Sequence, residues 1–298
     1  IVGLMQHIEE AGIHSGDSAC SLPPYSLDKE IIKKIKKQSA LLAKELKVIG
    51  LINIQYAIEN KNIFVLEANP RASRTLPFVS KVIGKPIPGI AALIMAGCRV
   101  NNLKDPKFNF FAIKEVVLPF DKFPGTDVLL GPEMRSTGEV MGIDKKFEIA
   151  FLKSQIAAGV ELPNKGIAFI SVKDTDKDRK LLEICKILET LSMEILATTG
   201  TALYLLKNKI KVKNVNKAYE GRPNIIDLLT DNRVDLVINT TEGLQSIEDS
   251  KGIRTLTLEK KLPYYTSISG ALAASNSMQR LSEKELSIIS LQELHKKT

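Results

Sequence analysis

A chain of 298 residues is about two domains long at roughly 150 residues each, enough to bury a core without disulfide or metal staples. With 44% hydrophobic and 26% charged residues it reads as a folded globular protein rather than a disordered or collagen-like one. The net charge of +8 carries no long block of like charges, there is no Trp, and no basic run is interleaved with aromatics, so a nucleic-acid groove is disfavoured.

The chain opens Ile1-Val2-Gly3-Leu4, with no Met, basic leader or long apolar segment, and reads as a piece of something longer. Residues 28–48 place Ile31, Ile32, Ile35, Leu42 and Leu46 at helical spacing, with Lys33, Lys34, Lys36 and Lys37 mostly on the opposite, solvated face. Residues 51–58 and 63–68 are strand-like and separated by Glu59-Asn60-Lys61-Asn62, which predicts a β-hairpin. A helical stretch over 78–96 is broken by Pro86 and Pro88, and a strand begins at Lys114. Its apolar run 89–97 is far short of the roughly 20 residues that cross a bilayer, so no membrane span is expected.

Gly, Pro and Asn cluster over 157–166, which places a domain boundary there and divides the chain into 1–159 and 160–298. Beyond it, strands at 167–172, 194–198 and 234–239 alternate with helices at 177–191, 202–207 and 225–232. That alternation predicts an α/β, Rossmann-like parallel sheet after an α+β first domain. Cys20, Cys98 and Cys185 are odd in number and lack CxxC spacing, which reads as reduced thiols in a cytosolic or organellar-matrix protein, cytoplasmic by preference, with no zinc site expected. His7 and His295 are expected at the surface.

In the hairpin, Gln55 and Glu67 are each six residues from Lys61 and so lie opposite or diagonal, with Asn69 on the face of Glu67. Three oxygen donors on one face suit a hard cation such as Mg²⁺, with Arg71 and Arg74 following as phosphate partners. The same residues equally describe the polar outer face of an exposed hairpin. In the second domain, Thr198-Thr199-Gly200-Thr201 ends a strand and opens a helix, Asn239-Thr240-Thr241 ends another, and Lys177 follows the first. All three lie on the carboxyl edge of a parallel sheet, within plausible reach of Lys217. That edge is either a phosphate site or ordinary Thr-Gly turn chemistry.

Glu67-Ala68-Asn69-Pro70-Arg71 after a hairpin, with the upstream loop Gly12-Ile13-His14-Ser15-Gly16-Asp17, resembles the ATP-grasp fold of the carbamoyl phosphate synthetase large subunit. Leu51 to Gln55, Pro77 to Lys81, Met95-Ala96-Gly97, Lys114 to Phe120 and Gly131-Pro132-Glu133-Met134-Arg135-Ser136 through Gly142 extend the resemblance. It implies that Gln55, Glu67 and Asn69 hold the Mg²⁺ or Mn²⁺ ions that accompany ATP. Gly12, Ile13, His14 and Ser15 would lie along the nucleotide, and Arg71 would bind the acyl substrate or its phosphate. The family's phosphate-covering lid normally precedes the segment where this chain starts, so little kinase activity is expected of the 298 residues alone.

Residues 160–298 resemble the methylglyoxal-synthase-like module of the same family, with Val215-Asn216-Lys217 and Glu220-Gly221-Arg222-Pro223 in place. The stretches that carry proton-transferring aspartates in methylglyoxal synthase lack them, so a lyase is disfavoured. The resemblance instead implies a regulatory site for UMP or IMP formed by Lys177, Thr198, Thr199, Gly200, Thr201, Lys217, Asn239, Thr240 and Thr241. It also implies an ornithine site near the domain junction at Glu9, Asp17, Glu115 and Thr266.

The function implied is the carboxyl-terminal part of a glutamine-dependent carbamoyl phosphate synthetase large subunit. That enzyme is an ATP-dependent ligase that phosphorylates carbamate, made from bicarbonate, for pyrimidine and arginine synthesis, with a glutaminase small subunit and self-association. The alternative is a nucleotide-monophosphate-binding regulatory module with no catalysis of its own.

Overall fold

The structure, a computed structural model, describes residues 1–100, 103, 105–118, 129–281 and 286–296. Pro119 and Phe120 of the Lys114 to Phe120 motif lie outside the described residues. In chain order the first half forms β1 (Gln6–His7), β2 (Cys20–Leu22), α1 (Lys29–Glu45), β3 (Asn53–Glu59), β4 (Asn62–Asn69), α2 (Leu76–Ile83), α3 (Ile87–Met95), β5 (Phe111–Val117), β6 (Gly138–Asp144) and α4 (Phe147–Ala157). β1-β2-β5-β6 is an antiparallel sheet, and β3-β4 stands apart as a two-stranded hairpin.

The local chemistry explains these elements. In α1, Ile31 and Ile35 are one turn apart and buried, whereas Leu46 lies past the last turn and is exposed. Asn60 and Lys61 both take positive φ, 50° and 66°, which is the backbone of a two-residue turn matched to strand twist. Gly84, at φ 68°, ends α2 in the left-handed region, and with Pro86 and Pro88 beyond it α2 and α3 meet at 110°. No single helix among the described residues is long and apolar enough to cross a membrane.

The second half forms β7 (Ile167–Ser171), a 3₁₀ turn (Asp174–Asp176), α5 (Arg179–Thr190), β8 (Glu194–Ala197), α6 (Thr199–Lys207), β9 (Lys213–Asn214), α7 (Ile225–Thr230), β10 (Leu236–Asn239), α8 (Leu244–Asp249), α9 (Lys251–Glu259), β11 (Tyr264–Tyr265), α10 (Ile268–Met278) and α11 (Leu291–Lys296). Its five strands are all parallel, in the order β11-β10-β7-β8-β9, which bears out the α/β expectation. Side chains cap the helices that support the sheet: Asp178 accepts from the N–H groups of Lys180 and Leu181, and Asn224 and Asp227 close a capping box.

Residues 158–166 connect α4 to β7, yet the hydrophobic core continues across them. Phe147, Ala150, Phe151 and Leu152 of α4 share one buried cluster with Leu181, Ile184 and Leu188 of α5 and Ala271 and Ala274 of α10. Burying a side chain such as Phe151, only 1% exposed, is worth about 2–3 kcal/mol, so α4 ties the two halves together.

Neither His7 nor His295 is a plain surface residue. Burial and then the nearby Lys114 charge push His7 down to about 4, because both penalise the imidazolium. The His295 ring lies against Gly84, where an added Cβ would meet it at 2.8 Å.

Candidate functional site

The hairpin register puts Gln55 directly opposite Glu67 and Asn53 opposite Asn69. Facing residues in an antiparallel pair share a side of the sheet, so four oxygen-bearing side chains lie on one face. Asn53 was absent from the expected set, although it precedes Gln55 by two residues and the strand period alone would have found it. Glu67 is exposed, and so are Arg71 and Arg74, which follow the hairpin. One carboxylate with amide oxygens is a hard-oxygen donor set that fits Mg²⁺ or Mn²⁺.

The loop 12–17 is tied to the segment 131–136. His14 N–H donates to the Gly131 carbonyl at 2.8 Å, and the N–H groups of Arg135 and Ser136 donate to the two Asp17 carboxylate oxygens at 2.7 and 2.9 Å. His14 Nδ1 accepts from Gly16 N–H at 3.0 Å, which makes the other ring nitrogen the one that carries the proton in the neutral imidazole. Arg74 donates to Met134 Sδ, so the residues after the hairpin meet the loop through segment 131–136. Lys114, fully buried on β5, donates to the carbonyls of Ser15 and Gly16 at 3.2 and 3.3 Å. Arg71 donates to its neighbour's carbonyl, Ala72, at 3.0 Å.

At the carboxyl edge of the parallel sheet, hydroxyls stitch the loops together. Ser171 and Thr198 share a hydrogen bond of 3.1 Å, Thr201 accepts from Val172 N–H at 3.2 Å, and Thr240 accepts from Lys173 N–H at 3.1 Å. Thr198 is the residue before α6, and Thr199, Gly200 and Thr201 form its first turn, where N–H groups are left over. Lys177, paired with Asp174 at 2.5 Å, brings its ammonium over Gly200. Asn239 ends β10, and Thr241 follows it by two residues. Lys217 contacts its own loop, donating to Tyr219 at 3.3 Å while its N–H meets Glu220 at 2.9 Å.

A cavity of about 560 Å³ opens between the two halves, and Glu9, Asp17, Glu115 and Thr266 all line it. The structure therefore brings together four residues spread over 258 positions of sequence. Glu9 Oε2 is buried without a hydrogen-bond partner. Burial first, and for Glu9 the charge of Glu115 next, push both carboxyls well above the usual carboxylate range. Asp17 has both oxygens engaged by backbone and is a structural wall of this cavity. Gln155, Tyr265 and Arg254 also line it. Periodicity did not single them out, because each is an isolated polar residue in an apolar stretch.

A family profile described as the carbamoyl-phosphate synthase L chain, ATP binding domain, matches residues 1–103, and one described as the MGS-like domain matches 180–266. The carbamoyl phosphate synthase large chain of Mesorhizobium japonicum is 50% identical over 98% of this chain and 26% of its own length. The carbamoyl phosphate synthase large chain, C-terminal section, of Aquifex aeolicus is 46% identical over 99% of this chain and 59% of its own. The chain thus spans about a quarter of the first full-length relative and under two thirds of the shorter one. Among solved structures, the biotin carboxylase subunit of pyruvate carboxylase aligns with 52% of this chain and 41% of its own at 17% identity and a TM-score of 0.42, too slight a likeness to decide anything about the site. With both profiles in chain order and near-half identity over almost every residue, the chain belongs to the carbamoyl phosphate synthase large-chain family, as a segment carrying part of the ATP-binding domain and the MGS-like domain.

Proposed function

We propose that this chain is the part of a carbamoyl phosphate synthase large chain that supplies the metal-and-phosphate face of an ATP-binding domain together with a regulatory domain. The observation that carries this reading is the hairpin register, Gln55 opposite Glu67 and Asn53 opposite Asn69, with Arg71 two residues on. In this reading Gln55, Glu67 and Asn69 hold Mg²⁺ or Mn²⁺ with ATP, and Asn53 extends their face. A bound divalent ion would offset the charge on the phosphates. The chain's own contribution is positioning. Lys114 and segment 131–136 fix the loop from Gly12 to Ser15 along the nucleotide, and Arg71, exposed beside the hairpin, receives carbamate or its phosphate.

The longer protein would use ammonia from a glutaminase small subunit. UMP or IMP would bind the edge formed by Lys177, Thr198, Thr199, Gly200, Thr201, Lys217, Asn239, Thr240 and Thr241, and a diamino acid such as ornithine the cavity lined by Glu9, Asp17, Glu115 and Thr266. Self-association and a cytoplasmic location belong to the same reading. The test is ATP formation from carbamoyl phosphate and MgADP by the large chain that carries this sequence. Glu67→Ala and Arg71→Ala should each lower the rate at least a hundredfold, about 2.7 kcal/mol, with UMP binding unchanged. Rates within threefold of the parent would remove the hairpin from the active site.

A further inference from the structure

Two runs of polar contacts, joined through the backbone of β11, link the cavity to the carboxyl edge of the parallel sheet. Glu115 on β5 accepts from Gln155 Nε2 at 2.5 Å, and Gln155 Oε1 accepts from the Tyr265 hydroxyl at 3.1 Å. Tyr265 belongs to β11, whose two residues point to opposite faces of the sheet: Tyr265 packs on the cluster shared with α4, and Tyr264 on the cluster around Val237 and Ile253. Asn239, at the end of β10, donates to the Tyr264 hydroxyl at 3.3 Å. The first run leaves the first half at Glu115, crosses on α4 and ends at Tyr265; the backbone of the two-residue strand joins it to the second, which ends at an expected nucleotide contact, Asn239.

Gln155 gives the first run two discrete arrangements. A glutamine amide has one donating and one accepting end. An ionised Glu115 requires the NH₂ end, so the carbonyl faces Tyr265 and holds its hydroxyl as a donor. A protonated Glu115 can donate instead, the amide reverses, and Tyr265 must accept. Gln155 is 5% exposed and Glu115 8%, so their contact is largely shielded from bulk water and is strengthened by the low local dielectric.

The groups around Glu115 make its charge responsive. Glu9 faces it with a buried, unpartnered oxygen, Lys114 is committed to the Ser15 and Gly16 carbonyls, Asp17 is saturated by backbone, and Arg254 and Lys261 line the far side of the cavity. A cation between Glu9 and Glu115 keeps Glu115 ionised and so selects the arrangement seen.

We infer that Gln155 and Tyr265 are positioning residues of a charge relay that couples cation binding between Glu9 and Glu115 to anion binding at the Asn239 edge. Coupling of this kind is reciprocal, and it needs an element with two states that both ligands bias. The relay rests on the two effector sites of the proposed function.

The experiment is calorimetric titration of the whole chain with UMP, with and without saturating ornithine, in the parent, Tyr265→Phe and the volume-conserving Gln155→Met. In the parent, ornithine should change the UMP dissociation constant at least fivefold. In both variants UMP alone should bind within threefold of the parent while saturating ornithine changes its dissociation constant less than twofold, with saturation established for each variant by titration because both residues line the ornithine cavity, a readout that a merely structural role would not move selectively. Coupling retained in both variants overturns the relay and leaves the two sites standing. Independent binding of both ligands by the parent does the same. Absence of binding by either ligand to the folded parent overturns the site assignment and the relay with it.

Discussion

The ammonium of Lys177 stands over Gly200: a Cβ added at that glycine would lie 3.3 Å from Lys177 Nζ. A positive charge held above the first turn of a helix adds to the leftover N–H groups and makes the spot attractive to an anion. Lys177→Met should weaken UMP at least tenfold, about 1.4 kcal/mol, by calorimetry, while the melting temperature stays put. Gly200→Ala should weaken it less, because the methyl displaces only the end of a flexible side chain. Unchanged affinity in Lys177→Met would remove the lysine from the site.

Gly142 on β6 is a different kind of glycine. A Cβ there would meet the Ala150 carbonyl oxygen at 2.0 Å and the Ser154 nitrogen at 2.5 Å, both backbone atoms of α4. Neither can move without separating the helix from the sheet. Gly142→Ala should cost about 3 kcal/mol of stability or more, seen as a lower urea midpoint. A loss under 1 kcal/mol would show that α4 sits more loosely on β6 than the structure has it.

The buried acids set a pH dependence with a definite sign. Glu9 and Glu115 have folded-state values raised above the ordinary 4.5, so between pH 4.5 and those raised values the folded chain holds protons that the unfolded chain has released. Their contribution to stability is therefore greatest below about pH 4.5 and is lost as pH rises through neutrality. Glu9→Gln should flatten that decline and, at pH 8, melt about 2–4 °C above the parent, about 1 kcal/mol. A cation that binds between them favours the ionised forms, so ornithine should bind more tightly as pH rises and release protons, measurable as a binding heat that differs between buffers of unlike ionisation enthalpy. A heat independent of buffer would contradict this.

Lys114 is a lysine with no exposed surface, and its partners are two loop carbonyls. Lys114→Met keeps the volume but takes its donor from the Ser15 carbonyl, the Gly16 carbonyl keeping the Ser136 hydroxyl at 3.1 Å, and removes a positive charge that favours ionised Glu9 and Glu115. The expected cost is about 2 kcal/mol, with faster hydrogen exchange over residues 12–17 than elsewhere. Exchange that rises uniformly, with no preference for that loop, would argue against a pinning role.

The elements legible in the sequence were those with one wet face or a short unbroken apolar run. Ile31 and Ile35 against the lysines of α1, and the buried stripe of α5, show the helical period because one side meets water, whereas β7, β8 and β10 are buried on both faces and read as short apolar runs between turns. α4 and α10 were not predicted. α4 buries Phe147, Ile149, Ala150, Phe151, Leu152, Ser154 and Gln155, and α10 is a run of small residues buried on most sides, so neither has a polar stripe to read. The missed residues follow from this: Gln155 sits on α4, and Tyr265 on a two-residue strand too short for any pattern.

By itself the sequence determined the hairpin and its turn, the residues of its polar face, the parallel α/β second half and the family, because each rests on local spacing or on strings of adjacent residues. Only the tertiary structure decided that Glu9 and Glu115 share one cavity, that α4 rather than the 158–166 connection governs how the halves meet, and that Glu115, Gln155 and Tyr265 form one line. Those relationships join residues tens to hundreds of positions apart, and they exist only once packing has removed water from between them.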